Sequence, residues 1–591
     1  MLFLYTLLIL TVIAAAIFAA PPKAKAWTAL TITAAAGIAL ATRAAEVLAA
    51  RHPVRLWNTV SPLPGPDTGS MDSLSAFFVL LIVLGAIAAT LYSRGYLAHA
   101  LAHKSPAHVS LHYTSLVVMS LSMLGVVTSD GGFSFLFFWE LMTVASFLLI
   151  LFDAERREVR RAALSYLIMM HVGFVLLVVG FVRLHAATGS ASFAALASMF
   201  AEGPFLPLFL VFLAGFGMKA GLFPMHVWLP EAHPAAPSHV SALMSGVMIK
   251  TGVYGILRVA AALGDAASLR TAGLIVLAAG IATGLWGVIL AASQNDVKRL
   301  LAYSSIENVG VILIGLGIAL LGKAAGNHTM ALCGIAGALL HTLNHSFFKT
   351  LLFMGAGNVL TQTRTTSLDA LGGVAKQMPL TALLFLVGAA AICALPPLNG
   401  LVSELLIYMG MFRGIAAGSE TLAAAAGLTA LALIGGIVVL AFAKLYGTVF
   451  LGSPRTPEAV EATEADNVRI AAMALPLAGI LFVGLFPATA AGLATRAAGF
   501  FVATPAVAAD YLLSPTLEAA GRTAWLLVAV VALLAWLRRR TLRGRRVEQG
   551  PTWAADSRPP TCGCNTRANR SRKDCSRSSR RSPARTAKAM R

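Results

Sequence analysis

Residues 204–230 read PFLPLFLVFLAGFGMKAGLFPMHVWLP, an apolar run that is interrupted near its middle. The run is long enough to cross a hydrocarbon core of about 30 Å, which takes roughly 20 apolar residues in a helix. Gly221 and Pro224 interrupt the helical pattern, and Lys219 places a charge beside the interruption. A lysine at bilayer depth costs about 2.5–3.5 kcal/mol on insertion scales. The stretch therefore predicts a broken membrane helix with an ionisable group at the break.

Apolar runs of this kind recur along the whole chain. Of 591 residues, 58% are hydrophobic and 12% are charged, about half the charged fraction of soluble domains. This composition excludes a soluble enzyme and a disordered chain, and it predicts an all-α polytopic membrane protein. About fifteen transmembrane helices are predicted, at residues 1–20, 27–49, 74–96, 110–128, 131–152, 162–184, 204–230, 239–260, 271–292, 299–321, 330–360, 380–415, 421–451, 470–492 and 523–538.

The twelfth predicted span is also interrupted, by Pro396, Pro397 and Gly400. Two broken helices at comparable places in consecutive five-span blocks predict two inverted repeats with a pathway at the membrane midplane. The alternative is that proline and glycine are simply common in membrane helices. The predicted regions are N-terminal helices 1–3 (1–109), a first repeat (110–260), a second repeat (261–451), C-terminal helices (452–540) and a basic tail (541–591).

The charge and the cysteines exclude two further classes of function. From Arg538 onward there are 17 Lys and Arg against 3 Asp and Glu, so most of the net charge of +20 lies in the tail. Trp553 is the single aromatic residue in that stretch, so there is no series of aromatic side chains among the basic residues to stack bases, and nucleic-acid binding is not predicted. No nucleotide-binding glycine pattern and no iron–sulfur or nickel ligand set is found, which predicts that redox chemistry belongs to partner chains and that this chain holds no cofactor. The five cysteines give no four-ligand metal site: Cys333, Cys393, Cys562, Cys564 and Cys575.

The distribution of basic residues predicts an orientation. Loops after odd-numbered spans hold more Lys and Arg, including the cluster of Arg156, Arg157, Arg160 and Arg161. By the positive-inside rule this predicts an inner-membrane protein whose amino terminus lies outside the cell membrane and whose carboxyl-terminal tail lies in the cytoplasm. The first 20 residues lack a basic start, so we expect a retained first helix and not a cleaved signal peptide.

Ionisable residues recur within the predicted spans. Carboxylates, lysines and imidazoles in series are what a proton relay requires, because a moving neighbour charge makes a buried lysine hold or release its proton. The alternatives for each are a static buried ion pair or a side chain that extends to the interface. His341, His345 and Lys349 are spaced four residues apart and so share one helical face. The candidate relay consists of Glu140, Lys219, Lys250, His341, His345, Lys349 and Glu404.

Four further residues are candidates for the pathway: His226, His239, Glu307 and Lys444. Glu231 and His233 lie between the two histidines and suggest a metal site, but prolines at 230, 234 and 237 favour a rigid turn. No metal site is therefore predicted. For Glu307 the alternative is a satisfied polar contact, and for Lys444 it is a lysine that extends to the interface.

Three motifs carry a resemblance to a known family: KAGLFPMHVWLPEAHPAAPS at 219–238, the Lys-Thr-Gly of residues 241–258, and HTLNHSFFK at 341–349. Over roughly residues 70–450 the chain resembles the antiporter-like membrane subunits of respiratory complex I and its relatives. The sequence HPAAPSHVSALMSG at 233–246 is most similar to that of the hydrogenase-4 and formate hydrogenlyase branch of group 4 [NiFe] hydrogenases.

The resemblance implies a role for each residue of the candidate relay. Glu140 matches the family's fifth-helix glutamate, Lys219 its seventh-helix lysine and Lys250 the lysine of helix eight. The histidines and lysine at 341, 345 and 349 match the central relay of helix eleven. Glu404 occupies the exit position. Spans 4–8 and 9–13 would each form a proton half-channel.

The resemblance also implies a function and partners. Such a subunit performs no redox chemistry; with other membrane subunits it converts electron transfer in a peripheral arm into movement of protons, with Na⁺ as the alternative ion. For this branch the arm would contain nickel–iron hydrogenase and iron–sulfur subunits. The alternatives are a proton-pumping subunit of NADH-quinone oxidoreductase and an Mrp-type cation/proton antiporter subunit.

The carboxyl end departs from the family. Relatives continue with a Cys-Gly pair and an Arg-Met-Gln-Tyr-Thr motif, whereas here Thr552 and Trp553 are followed by AADSRPPTCGCNTR. If one lost G is restored after the Trp codon, the shifted reading frame can encode the family's motif. The hypothesis is therefore a frameshift that makes residues 554–591 non-native. The alternative is a real, disordered basic tail.

Overall fold

The computed structural model describes residues 2–60, 66–98, 103–502 and 506–544. Met1–Thr541 forms one compact unit, and the second unit, Leu542–Arg591, is described only as far as residue 544. The three tail cysteines and the possible frameshift at 554–591 lie outside the described residues. In the described part nearly all regular structure is helical, which confirms the predicted all-α polytopic membrane class.

The helices follow one another with short connections. Up to the first break they are α1 (Leu2–Ala19), α2 (Lys25–Ala50), α3 (Ser73–Tyr96), α4 (Pro106–Thr128), α5 (Gly132–Ile150), α6 (Arg157–Thr188), α7 (Ala195–Glu202) and α8 (Phe205–Ala220). Next come α9 (Leu229–Ala235), α10 (Ser238–Ala261), α11 (Ala266–Ser293), α12 (Val297–Ala324), α13 (His328–Thr363), α14 (Pro379–Ile392) and α15 (Asn399–Ala416). The last are α16 (Thr421–Phe450), α17 (Pro457–Glu461), α18 (Asn467–Leu485), α19 (Pro487–Ala497) and α20 (Ala506–Leu542).

Short polar side chains determine where several of the long helices begin. Asp72, Ser105, Asp265, Asp296 and Asp466 each accept a hydrogen bond from a backbone N–H in the first turn of the helix that follows. Such N-caps satisfy donors that have no partner inside the helix and contribute about 1 kcal/mol each. These helices therefore begin directly after residues that favour an amino-terminal cap.

Both interruptions expected from the sequence are present. Helix α8 ends at Gly221, whose φ of 86° is the left-handed conformation that glycine adopts without strain. In the twelfth predicted span, α14 ends at Ile392 and α15 begins at Asn399. A third irregularity, the π-helical turn Met244–Met248 inside α10, was not predicted, because an apolar pattern does not distinguish a π turn from an α turn.

The apolar helices fall into two classes by length. In the described residues, eleven helices are long and apolar enough to cross a membrane. Three shorter apolar helices accompany them: Tyr5–Ala19, Phe205–Ala220 and Pro379–Ile392. The count of about fifteen is not confirmed by these helices, and the inverted repeats and domain boundaries stay predictions.

Three helices form the centre of the protein. The most apolar windows of α10 and α12 are completely enclosed by other helices, and α13 is buried along most of its length. Helices α11 and α12 pack backbone against backbone, since a Cβ added at Gly280 would lie 2.7 Å from the Ile314 nitrogen. In contrast, only a third of the apolar window of α6 is buried, which places that helix at the periphery.

A two-stranded antiparallel hairpin follows α2, formed by β1 (Val54–Val60) and β2 (Pro66–Met71). Asp130, in the turn between α4 and α5, accepts a hydrogen bond from the Ser70 hydroxyl at 2.9 Å and so fixes the hairpin to the helices. The sequence analysis did not predict these strands, because their register is set by contacts with a turn about 60 residues away.

Candidate functional site

Lys219 lies two residues before the glycine that ends α8, and it is buried. Its Nζ donates to the Thr143 hydroxyl at 2.8 Å and to the Tyr166 hydroxyl at 3.5 Å. The ammonium group also lies 5.3 Å from the centre of the Trp139 ring, a cation–π distance. The break in the helix thus positions a lysine among neutral hydrogen-bond partners.

Glu140 is the nearest carboxylate whose charge acts on Lys219, but the structure gives it a different contact. The Nε2 atom of His171, on α6, lies 3.1 Å from a carboxylate oxygen of Glu140. The two groups are at ion-pair distance without hydrogen-bond alignment, and both carboxylate oxygens have no hydrogen-bond partner in the described part of the chain. The sequence had not indicated His171.

The π turn of α10 places Lys250 at the centre of the protein. Its Nζ contacts the carbonyl oxygen of Ser245, within that turn, and the Nδ1 atom of His345 on α13. Both Lys250 and His345 are completely buried. The eighth-helix lysine and the central histidine therefore form a direct link between the two predicted repeats.

The three ionisable residues of α13 are all buried, as the fourfold spacing indicated. His341 is held through both ring nitrogens, by the Ser403 hydroxyl and the Asn308 side-chain oxygen, each at 3.0 Å. Lys349 donates to the Leu301 carbonyl at 2.8 Å and to the Ser304 hydroxyl at 2.5 Å.

Glu307 joins the second half of this series. It is buried on α12 and contacts the side-chain amide of Asn308, the residue that also binds His341. The charges that act on it are those of Lys349 and of the half-buried Glu404 on α15. Glu307 therefore makes the polar contact that the sequence analysis gave as its alternative, and its membership of the relay stays a prediction.

The remaining candidates occupy other places. Lys444 donates to the carbonyls of Ala292 and Gln294, at 3.2 and 2.9 Å, and so caps the carboxyl end of α11. His226 is buried in the break after α8, with its ring against Phe223. His239 is buried at the start of α10.

The charges outside the spans hold helix ends together. Asp72, the N-cap of α3, accepts from Arg258 at the end of α10, with one N–O distance of 2.8 Å. Burial raises the pKa of Asp72, but the charge and hydrogen bond of Arg258 and the hydrogen bonds from Ser75 together lower it by more, so the net pKa lies below its ordinary value. At the end of the bundle that holds the Arg156 cluster, a cavity of about 610 Å³ is lined by arginines and by the buried Lys298.

The sequence analysis missed the neutral members of the site. Thr143 lies three residues after Glu140 on the same helical face, a spacing that could have indicated it. Ser304, three residues before Glu307 on α12, has the same spacing, and Asn308 directly follows Glu307. Tyr166 gave no such signal, because it lies on α6, which holds no candidate residue. Among the described residues, no group of three or more His, Cys, Asp or Glu is arranged to hold a metal ion.

Comparisons with known proteins agree with this architecture. Residues 129–434 match the family model described as NADH:quinone oxidoreductase/Mrp antiporter, TM. Hydrogenase-4 component B of Escherichia coli is 37% identical over 496 residues, which are 82% of this chain and 73% of that protein. Formate hydrogenlyase subunit 3 of Escherichia coli is 40% identical over 273 residues, 45% of each chain. Among solved structures, an archaeal membrane-bound sulfane sulfur reductase matches with a TM-score of 0.70 and 25% identity, covering 90% of this chain and 82% of that one.

Proposed function

The chain belongs to the NADH:quinone oxidoreductase/Mrp antiporter transmembrane family, and from that premise we propose that it is the proton-translocating membrane subunit of a hydrogenase-4 or formate hydrogenlyase-type complex. In this proposal it couples electron transfer in partner subunits to ion movement. The similarity to two subunits of that branch supports the assignment.

The observation that carries the proposal is the buried series of acids and bases through the middle of the bundle. Lys219 lies among Thr143 and Tyr166, and Lys250 contacts His345. Farther along, the charges of Lys349 and Glu404 both act on the buried Glu307. Ionisable groups are rare inside membranes because of their insertion cost, and a continuous series of them is typical of proton pathways.

Each group has a role in the proposed mechanism. Glu140 would hold the charge that controls Lys219, since the two interact without a hydrogen bond that locks them together. Lys250 and His345 would pass the proton between the two halves, through the contact that joins them. Glu404 would release it at the far end. Metal and redox groups would belong to partner subunits, and this chain would supply proton binding sites only.

Further details also belong to the proposal. The two inverted repeats would each form a half-channel, and the protein would lie in the inner membrane with its amino terminus outside. Partner membrane subunits and a peripheral hydrogenase arm with iron–sulfur subunits would complete the complex. The alternatives are a proton-pumping subunit of NADH-quinone oxidoreductase and an Mrp-type antiporter subunit, both of which the family includes. The genes beside this one would distinguish them, because nickel-hydrogenase subunits accompany only the first.

The test is proton uptake by vesicles that carry the assembled complex. Lys219→Ala or Glu140→Ala is expected to abolish coupled uptake while the complex still assembles. Lys25→Met is the control, because Lys25 is a buried lysine that donates to the Ile17 carbonyl at 2.9 Å, where it caps α1. Unchanged uptake in either relay variant would remove these residues from the mechanism.

A further inference from the structure

Two buried histidines outside the candidate relay share a hydrogen bond. His112 on α4 and His239 on α10 face each other with their Nε2 atoms 2.8 Å apart. A neutral imidazole has one donor and one acceptor nitrogen, so one ring donates its Nε2 proton to the other. Two nitrogens bound to one tetrahedral zinc would lie about 3.3 Å apart, given Zn–N bonds of about 2.0–2.1 Å. The shorter separation indicates a shared proton.

The other nitrogen of each ring is unsatisfied. The Nδ1 atoms of His112 and His239 are buried and have no hydrogen-bond partner among the described residues. A buried polar atom without a partner costs about 1–3 kcal/mol, so a contact that served only the fold would be expected to satisfy these atoms. Each ring therefore has a free position at which a proton can arrive or depart.

The outer side of the pair leads to the protein surface. His108 precedes His112 by four residues on α4, so the two lie on one face of the helix. His108 is half-buried, and its Nε2 lies 2.9 Å from the Phe152 carbonyl. The Phe152 ring packs against both histidines, with centroid distances of 5.0 and 4.8 Å. This arrangement places a partly exposed imidazole one helical turn from the buried pair.

The inner side of the pair leads toward the centre of the bundle. The Tyr96 ring lies edge-on to His239, and the charge of Lys298 on α12 acts on His239. Lys298 donates to the Ala236 carbonyl at 2.6 Å. Lys298 also donates to the Pro234 carbonyl at 3.5 Å, next to His233, which is completely buried with neither ring nitrogen partnered in the described residues.

His233 connects this region to the relay. The charges that act on His233 are those of Lys298 and of the relay lysines Lys250 and Lys349. A series of titratable groups thus extends from the surface imidazole, through the histidine pair, to the central lysines.

We propose that His112 and His239 form a proton-exchange pair that links the surface at His108 to Lys298, as an entrance to the relay separate from Glu140 and Lys219. The inference rests on the proposed function for the relay that the pair would supply. A proton that binds to the free nitrogen of His112 allows its Nε2 proton to pass to the Nε2 atom of His239. His239 then releases the proton on its own Nδ1 atom inward, so one proton enters and one leaves.

The first test measures initial proton uptake by vesicles with the assembled complex. The double substitution His112→Gln, His239→Gln keeps hydrogen-bonding amides but removes both titrating groups. We expect uptake to slow roughly tenfold, less than the usual 10²–10⁴ of a positioned acid–base group, because the cavity beside Lys298 gives water a second approach. His328→Gln, at an exposed histidine that begins α13, is the control and should leave the rate unchanged.

A rescue experiment separates proton transfer from a structural role. His108→Ala should slow uptake, and added imidazole should restore it, because the partly exposed site can admit a small proton carrier. A structural defect would not respond to imidazole. Wild-type rates in both the double variant and His108→Ala would overturn the inference while the proposed function stands, provided that Lys219→Ala still abolishes uptake.

A second measurement does not depend on proton pumping. In the complex with ¹⁵N-labelled histidine, solid-state NMR can assign the shared Nε2 proton by its loss in His112→Gln. We expect this proton to exchange with D₂O within minutes, and at least tenfold more slowly in His108→Ala. A shared proton retained for hours would overturn the inference. If the wild-type complex moved no protons, the proposed function would fail, and this exchange rate would still decide whether the pair transfers protons.

Discussion

Lys219 donates to the hydroxyl of Thr143 at 2.8 Å, and Thr143 lies one helical turn after Glu140 on α5. The charge of Glu140 acts on Lys219 through space. Among the described residues, however, Glu140 contacts a different partner, with a carboxylate oxygen 3.1 Å from the Nε2 atom of His171. A direct salt bridge would hold both charges in one state. Separate neutral and titratable partners leave each charge able to change while the charge of Glu140 acts on Lys219 through space.

Thr143→Val tests the importance of that hydroxyl. Valine has nearly the same shape but no oxygen, so Lys219 would lose its shortest hydrogen bond. We expect proton uptake to fall by roughly tenfold, the equivalent of about 1.4 kcal/mol, which is typical of a hydrogen bond to a charged group. The measurement is the initial uptake rate in vesicles, and Thr143→Ser should restore it. Equal rates for valine and serine would show that the hydroxyl is not needed.

Glu307→Gln tests the second half of the series. Glutamine preserves the size of the side chain and a polar contact with Asn308, but it cannot release a proton. Because the charges of Lys349 and Glu404 both act on Glu307, we expect coupled uptake to be lost while the complex assembles normally. Unchanged uptake would assign Glu307 a purely structural role.

Asp72→Asn should lower stability in a pH-dependent way. Asparagine retains the N-cap of α3 but removes the charge paired with Arg258, and we expect a loss of roughly 1–3 kcal/mol at pH 7. The folded pKa of Asp72 is lowered, so this contribution is present above the unfolded pKa of about 3.9 and is lost as pH falls through the folded value.

The corresponding measurement is thermal unfolding of the detergent-purified protein between pH 3 and pH 7, compared with the variant. The difference between the two proteins should be greatest near neutral pH and should shrink in acid. A difference that stays constant over this range would exclude the carboxylate charge as its source.

Gly280→Ala tests the close packing of α11 against α12. A Cβ at this position would lie 2.7 Å from the backbone nitrogen of Ile314, so the helices must separate, at a cost of about 1–3 kcal/mol. Gly435→Ala on α16 is the matched control, because a Cβ there meets no atom within 4 Å. Alanine favours a helix by about 1 kcal/mol over glycine, so the control should be neutral or stabilising. Melting temperatures that shift in the same direction for both variants would contradict this interpretation.

The sequence by itself determined the membrane class and the two helix breaks, and it predicted which acids and bases lie within the helical spans. These properties are local: run length sets the spans, glycine and proline end helices, and fourfold spacing places His341, His345 and Lys349 on one face. The resemblance to a family then indicated the relay residues, because its motifs retain those positions.

Only the tertiary structure decided which groups meet. The partners Lys250 and His345 are 95 residues apart, and His112 and His239 are 127 apart. Lys444 caps another helix, although its sequence position suggested a pathway residue equally well. Such contacts depend on how helices distant in sequence cross and rotate against one another, and helical periodicity fixes the face of a residue but not the helix that this face meets.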